Sequence, residues 1–477
     1  MTVHIDFGSP NPCIASRPPP PRAIQGEPLM IKEPRWITSL KALNLKSLDH
    51  RVIAALLVFL LIISAIALFN PNNSRVSTIK SYPATVCPGN LSGGTSTSVL
   101  PSSNTLVRQI PAPKNSLSKA KTTFYLSSKP LLVDGSSETS INVSRNQTGA
   151  LATVICAINE SDQWFVGGSG SVVSKSSIQI VNSGLSTAIV DLFVYTPNTV
   201  SPVNSIRVSK NSSKQIYLDS LAPGEGSVVV HAITRSGRVT MFLHDQRQRG
   251  LQSLGSDFVS QSANPAKRVV IPAINNVALS GRSTTQMLRI LAPGKANANV
   301  RAELIASDGT FSPIELDDIS IKSGIVQDIV FKPVLGAKNF SLVLTADQPI
   351  VAAVKSSGTF NGNNEFTWAT SSEQLQETFM HFGGLRPEVV FQGKNIEVNV
   401  EWTSKNRKVY ARAIVGNKKN DIATWSPKSG VVSARFTTKN KEIYGGIIFK
   451  ENRGLSYLPL ESGAQLESSV IPVLTRA

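Results

Sequence analysis

From 52 to 69 the chain reads VIAALLVFLLIISAIALF, and every side chain but Ser64 is apolar. These 18 residues form a rod of roughly 27 Å at 1.5 Å per residue, enough to cross a bilayer core. The apolar character surrounds the whole helix, which excludes an amphipathic surface helix. Elsewhere the pattern changes to short runs in which Val, Ile, Thr, Tyr and Phe alternate with polar residues, bounded by Gly, Pro, Asn and Ser. Such runs predict half-buried strands, and their spacing of about ten residues predicts an all-β sandwich or barrel.

Six of these runs occur in order: SSIQIVN (176–182), AIVDLFVYT (188–196), SIRVS (205–209), KQIYLD (214–219), SVVVHAIT (227–234) and RVTMFLHD (238–245). A second set follows at an offset of about 110 residues: LRILA (288–292), NVRAELIAS (299–307), DDISI (317–321), QDIVF (327–331), FSLVLTA (340–346) and PIVAAVKS (349–356). Val190 then aligns with Val300, and Ile216 with Ile329. A weaker third copy lies at 396–403, 408–415, 431–437 and 443–450. About 100 residues and seven short strands fit one Ig-like sandwich per copy. The alternative is a β-propeller in which each copy supplies two blades of about 40–50 residues. The stretch 371–380, SSEQLQETFM, is read as one or two helical turns.

The flanks of the apolar rod orient it. Residues 1–51 carry seven basic groups, among them Arg17, Lys32, Lys46 and Arg51, whereas Asn70–Ser74 carries none. The positive-inside rule places the N-terminus in the cytoplasm and the long C-terminal part outside. A cleaved signal peptide is the competing reading, with Ala65-Ile66-Ala67 as a small-residue cleavage pattern, but the apolar run is long and follows a tail of about fifty residues. The tail is Pro-rich, with Pro18 to Pro21 consecutive, and is read as disordered. Met30 is an alternative start. Residues 36–48 read as a membrane-surface segment or as an extension of the same helix.

Cysteine usage agrees with this topology. Cys13 falls on the cytoplasmic side, and Cys87 and Cys156 fall outside, where a disulfide persists. They either bond to one another, closing a loop of about 70 residues, or remain separate buried thiols. Chemistry is otherwise sparse. His231, His244 and His381 form no paired metal motif, and no CxxC or HExxH occurs, so neither a metal nor a cofactor is expected. The run Gly167-Gly168-Ser169-Gly170 lacks the Lys and Ser/Thr of a phosphate-binding loop. Ser116–Lys119 matches Ser-x-x-Lys without any supporting motif. Carboxylates are numerous enough for a glycosidase pair, but the sequence selects none, so no catalytic residues are assigned. The tryptophans Trp164, Trp368, Trp402 and Trp425 read mainly as core.

Charge adds one signal. The 477 residues carry a formal net charge of +17, with only 17% charged residues. The external part holds 41 basic against 27 acidic residues, with Lys405, Arg407, Lys408, Lys418, Lys419, Lys439 and Lys441 near strand ends and turns of the last copy. These are candidate contacts for anionic envelope polymers or lipid head groups; nucleic acid is not expected as a partner.

The segments DQWFVGGSG (162–170) and SLAPGEGSVVVHAITRSGRVTMFLHDQRQRGLQSLGSDFVSQSANPAKRVVIPAI (220–274), with Cys87-Pro88-Gly89 and Cys156, resemble an actinobacterial family of membrane-anchored secreted proteins of unknown function. The resemblance spans roughly 82–477 and implies members encoded beside membrane glycosyltransferases of the cell envelope. It carries no catalytic residues. The expected organisation is therefore a cytoplasmic tail (1–51), a transmembrane helix (52–69), a Ser/Thr/Pro-rich stalk (70–122), a first β region and repeat (123–265), a second repeat (266–375) and a third, basic repeat (376–477). The expected role is non-enzymatic: an accessory or binding protein in envelope polysaccharide assembly, bound to anionic polymers or a membrane glycosyltransferase. The alternatives are a polysaccharide-modifying hydrolase or a structural spacer.

Overall fold

In a computed structural model the described residues are 50–68 and 78–469, apart from 92–94, 101–104, 113–115, 127, 146–149, 277–283, 361, 405–408, 416–420, 428–429, 452–453 and 464–465. They form two compact units, one ending at Ser77 and one running from Thr78 onward. In the first unit His50–Leu68 is a 19-residue helix (α1). Its described side chains, 54–64, are exposed and, Ser64 aside, apolar. They span only about 16 Å at 1.5 Å per residue, and among the described residues no helix is long and apolar enough to cross a membrane. The expected tail, the 36–48 segment and Met30 lie outside the described residues.

The second unit is built of strands. It opens with Thr78–Ser81 (β1). A first module follows: Thr85–Cys87 (β2), Thr95–Val99 (β3), Leu106–Gln109 (β4), Ser118–Lys119 (β5), Phe124–Leu126 (β6), Leu131–Asp134 (β7), Ile141–Arg145 (β8) and Leu151–Ile155 (β9). The second module comprises Asp162–Val166 (β10), Ser177–Asn182 (β11), Ala188–Tyr195 (β12), Asn204–Val208 (β13), Ser212–Tyr217 (β14), Val229–Ser236 (β15), Val239–Arg249 (β16) and Gln252–Val259 (β17). The third has Ala266–Asn275 (β18), Thr285–Leu291 (β19), Ala298–Ala306 (β20), Gly309–Phe311 (β21), Ile319–Ile321 (β22), Gln327–Phe331 (β23), Asn339–Phe360 (β24) and Asn363–Thr370 (β25). The fourth has Glu377–His381 (β26), Pro387–Gln392 (β27), Glu397–Ser404 (β28), Val409–Val415 (β29), Ile422–Trp425 (β30), Val431–Thr437 (β31), Tyr444–Glu451 (β32) and Gly454–Leu460 (β33). Leu466–Ser469 (β34) then pairs antiparallel with β1.

One topology recurs four times. In the first, second and fourth modules the first, sixth, third and fourth strands form one four-stranded sheet, and the fifth, second, seventh and eighth form the other. The third module keeps this order with two changes. β21 and β22 share the fourth position, and the 22-residue β24 serves as sixth and seventh strand, passing from one sheet to the other. Val190 and Val300 both lie in third strands, and Ile216 and Ile329 in fifth strands.

The segment 70–122 departs from its expected loose stalk: β2 to β5 lie within it and belong to the first module. Their runs are two to five residues long and rich in Ser and Thr, too short to show period two. The helical turns expected over 371–380 are also replaced, because β26 pairs with β31 over Glu377–His381.

The modules close into a ring through their eighth strands. β9 packs on β17, β17 on β25, β25 on β33, and β33 back on β9. The sheet containing each eighth strand is therefore covered on both faces, by its own module and by a neighbour. That is why β11 and β33 are buried at every residue while β20 and β28, in the outer sheets, alternate buried and exposed. The apolar cores respect the same closure. Val154 packs with Phe242 across the first seam, Val351 and Trp368 with Leu243 across the second, Val390 with Ile274 across the third, and Leu458 with Leu151 across the fourth.

Candidate functional site

The ends of β9 and β17, with connector residues that follow them and β33, border a cleft of about 510 Å³. Val154, Phe165, Met241, Phe242 and Val259 give it a buried apolar lining. Polar groups reach it from separate modules: Glu138 and Glu160 from the first module and its connector, Ser260 and Gln261 after the second, Glu377 and Arg435 from the fourth, and Glu461 after β33. The walls are fixed by backbone bonds. Thr139 N donates to Phe379 O at 2.6 Å, and Gly463 N to Glu377 O at 2.7 Å. Gln163 Nε2 donates to Gln261 Oε1 at 2.8 Å, and Gln261 in turn donates to Glu160. Arg435 ion-pairs with Glu377 and lies 4.5 Å from the Phe379 ring centroid.

Burial decides the protonation of this site. It pushes the Glu461 carboxyl up to about 8, and the neighbouring Glu160 and Glu373 carboxylates add to the rise. Burial also raises Glu160, against the opposing hydrogen bond from Gln261, and raises Glu138 against the opposing charge of Arg435. At neutral pH Glu461 is thus mainly a neutral acid that donates an O–H. Two deeply buried acceptors or donors have no partner among the described residues, Ser260 Oγ on the lining and Gln163 Oε1 behind Gln261. Buried polar groups normally find partners, in the protein or in ordered water. Among the described residues no group of three or more His, Cys, Asp or Glu is placed to hold a metal ion. A neutral acid, an amide and a hydroxyl over an apolar surface suit a neutral ligand rich in hydroxyls.

At the ring axis, one residue from each eighth strand meets the others. Asp257 Oδ1 accepts from Ser456 Oγ at 2.7 Å, and its Oδ2 accepts from Trp368 N at 3.0 Å. Ser456 Oγ accepts in turn from Thr153 N at 2.8 Å. Burial raises the Asp257 carboxyl well above the usual range.

The residues singled out in the sequence take mainly structural places. Cys87 and Cys156 form a disulfide, both buried, joining the first strand of the first module to the residue just beyond its last. His231 stacks on Trp164 at 3.8 Å between ring centroids and bonds Asp162 at 2.8 Å. His244 is buried with neither ring nitrogen bonded among the described residues, and His381 Nδ1 accepts from Gly383 N at 3.1 Å. Trp164, Trp368 and Trp425 are buried, and Trp402, partly buried, packs beside Trp425 at 6.0 Å between ring centroids. The Gly167–Gly170 run is a close-packing device: a Cβ on Gly170 would lie 1.9 Å from Ala222 O, and one on Gly167 2.7 Å from Val259. Ser116 to Lys119 is exposed. Of the basic cluster, Lys439 and Lys441 are exposed between β31 and β32, and Lys405, Arg407, Lys408, Lys418 and Lys419 lie outside the described residues. The cleft glutamates escaped the sequence reading because Glu138, Glu160 and Glu461 lie between strands, Glu377 opens β26, and no local motif links them.

The family of unknown function DUF5719 matches residues 127–415, from just before β7 through β29. The chain belongs to this family. No curated protein matches it. Among solved structures, the crystal structure of Thermotoga maritima 1070 is similar over 23% of this chain and 95% of its own, at 13% identity and a TM-score of 0.20, too slight a likeness to carry fold or function. Family membership thus leaves the cleft as the feature from which function is argued.

Proposed function

We propose that this DUF5719 protein is a membrane-anchored, extracytoplasmic binding protein that serves cell-envelope polysaccharide assembly, holding glycan in the cleft beside the ends of β9 and β17. The observation that carries the reading is the cleft itself, where the neutral Glu461 acid, Gln261 and the unpartnered Ser260 hydroxyl stand over Phe165 and Phe242. Hydroxyl-rich ligands are recognised by this mixture of donors, acceptors and apolar surface. The Cys87–Cys156 disulfide supports an oxidising compartment, and the apolar run 52–69 with its basic N-terminal flank supports an anchor oriented with the tail in the cytoplasm. The pairing of second with fifth and third with sixth strands matches the B–E and C–F pairs of an Ig-like sandwich, which supports that description of each module. A membrane glycosyltransferase is the proposed neighbour, and actinobacteria the proposed source.

The detergent-solubilised full chain is expected to bind purified envelope glycan by calorimetry, with binding lost in Glu461→Ala and Gln261→Ala. Crosslinking in membranes followed by pull-down is expected to recover glycan or an envelope enzyme. Recovery of neither, with no calorimetric binding, refutes the reading. A hydrolase is the second reading, favoured by the pairing of a raised Glu461 acid with Glu160 in one cleft. It requires turnover of the same glycan that Glu461→Gln abolishes.

A further inference from the structure

The seam between the second and third modules gathers a separate set of charges, none of which lines the cleft. Asp245 accepts from Arg247 Nη2 at 3.1 Å and Nε at 3.2 Å, from Ser176 Oγ at 2.7 Å and from Trp368 Nε1 at 2.9 Å. Asp328 accepts from Arg289 Nε and Nη2, each at 2.8 Å. The remaining Arg289 nitrogen donates to Gly168 O at 2.6 Å and Val228 O at 3.2 Å. Both carboxylates and the Arg289 fork are therefore fully engaged within the protein.

Two cationic donors are left over. The Lys355 ammonium has no hydrogen-bond acceptor among the described residues and lies 4.2 Å from the Phe366 ring centroid and 5.9 Å from that of Trp368. Arg247 lies 5.9 Å from the same Phe366 centroid, and Asp245 engages only its Nε and Nη2. With Lys355 protonated, three cations face two carboxylates, and the seam then carries one uncompensated positive charge. Lys355 is only partly exposed, and an ammonium so placed is costly without a counter-charge.

We propose that Arg247 and Lys355 seat an oxyanion group, the phosphate or carboxylate of an envelope component, against the Phe366 ring. The free Arg247 edge supplies a directional N–H to one oxygen and the Lys355 ammonium a point charge to another. The titratable and charged groups facing Lys355 are Arg247, Asp245, Arg289 and Asp328, and burial with the two arginines lowers its ammonium to about 7. A bound anion opposes that lowering, so anion binding takes up a proton and shields the amine. This site is independent of the glycan cleft and survives if the cleft binds nothing.

The test is acetylation of Lys355 by acetic anhydride near neutral pH, read by mass spectrometry on the solubilised full chain. Inorganic phosphate and glucuronate are compared with sodium chloride at equal ionic strength. Labelling is expected to slow several-fold. Protection by phosphate alone assigns a phosphoryl group, by glucuronate alone a carboxylate, and by both an unselective oxyanion seat. Labelling as fast as in chloride with either anion overturns the proposal. In Arg247→Gln the protection is expected to disappear, and full protection there also overturns it. The wild-type comparison stands alone if that variant fails to fold.

Discussion

Glu461 ties the protein's stability to pH with a definite sign. Between pH 4.5 and about 8 the unfolded chain releases this proton and the folded chain keeps it. Its contribution is therefore whole below pH 4.5 and is lost as pH rises through about 8. His244 and His381, which burial lowers from 6.5 to about 4, work the other way: the folded protein resists their protonation, so stability falls on acidification across that window. Both histidines are common to wild type and Glu461→Gln, so the difference between the two proteins isolates the glutamate. Urea titrations at pH 6.5 and 8 are expected to show the variant gaining stability relative to wild type at the higher pH; an unchanged difference refutes the assignment. Asp257 is the other residue on which much depends. Its replacement by Ala leaves Ser456 Oγ and Trp368 N without an acceptor and is expected to cost about 3 kcal/mol or more in urea denaturation. Asn keeps an acceptor oxygen of similar size at the same place, so it is expected to cost less. Neither residue was legible in the sequence. A glutamate between Leu460 and Ser462, or an aspartate between Ser256 and Phe258, looks like any surface acid until strands from four modules are brought together.

Strands with alternating or continuous apolar runs of five residues or more were legible, as β11, β12, β15, β16, β20 and the first half of β24 show. Those of the first module that lie within 70–122 were not, since β2 and β5 are two or three residues long and β5 is exposed at both of its residues. The Cys87–Cys156 bond offsets that weakness. It spans 69 residues and clamps β2 to the end of β9, and in the chain-entropy model such a loop contributes about 4 kcal/mol. Reduction, or Cys87→Ser with Cys156→Ser, is expected to lower stability by a comparable amount and to open the first module to protease before the others. Close approach between elements sets a second test. A Cβ on Gly454 would lie 2.4 Å from Leu151 N and Cβ, where β33 meets β9. Gly454→Ala is expected to cost about 1–3 kcal/mol, measured by urea denaturation, because backbone must shift at the seam.

The repeat was legible in the sequence at the level of its best strands, but ring closure was not, because eighth strands carry no mark of the neighbour they will meet. Each apolar core spans a seam, so no module buries its inner sheet without the next. Removing the fourth module is expected to expose both the third-module and first-module faces it covers. The intact second unit is expected to unfold in one calorimetric transition, and four resolved transitions would show the modules to be independent. The pairing of β1 with β34 carries a consequence of another kind. Thr78 stands opposite Ser469, so the first and last described strands of this unit lie side by side. Where along a closed circuit the polypeptide is cut then becomes a matter of genetic accident: a gene rearranged to begin at the third module and finish with the second, its old ends spliced by a short linker, should reach the same architecture.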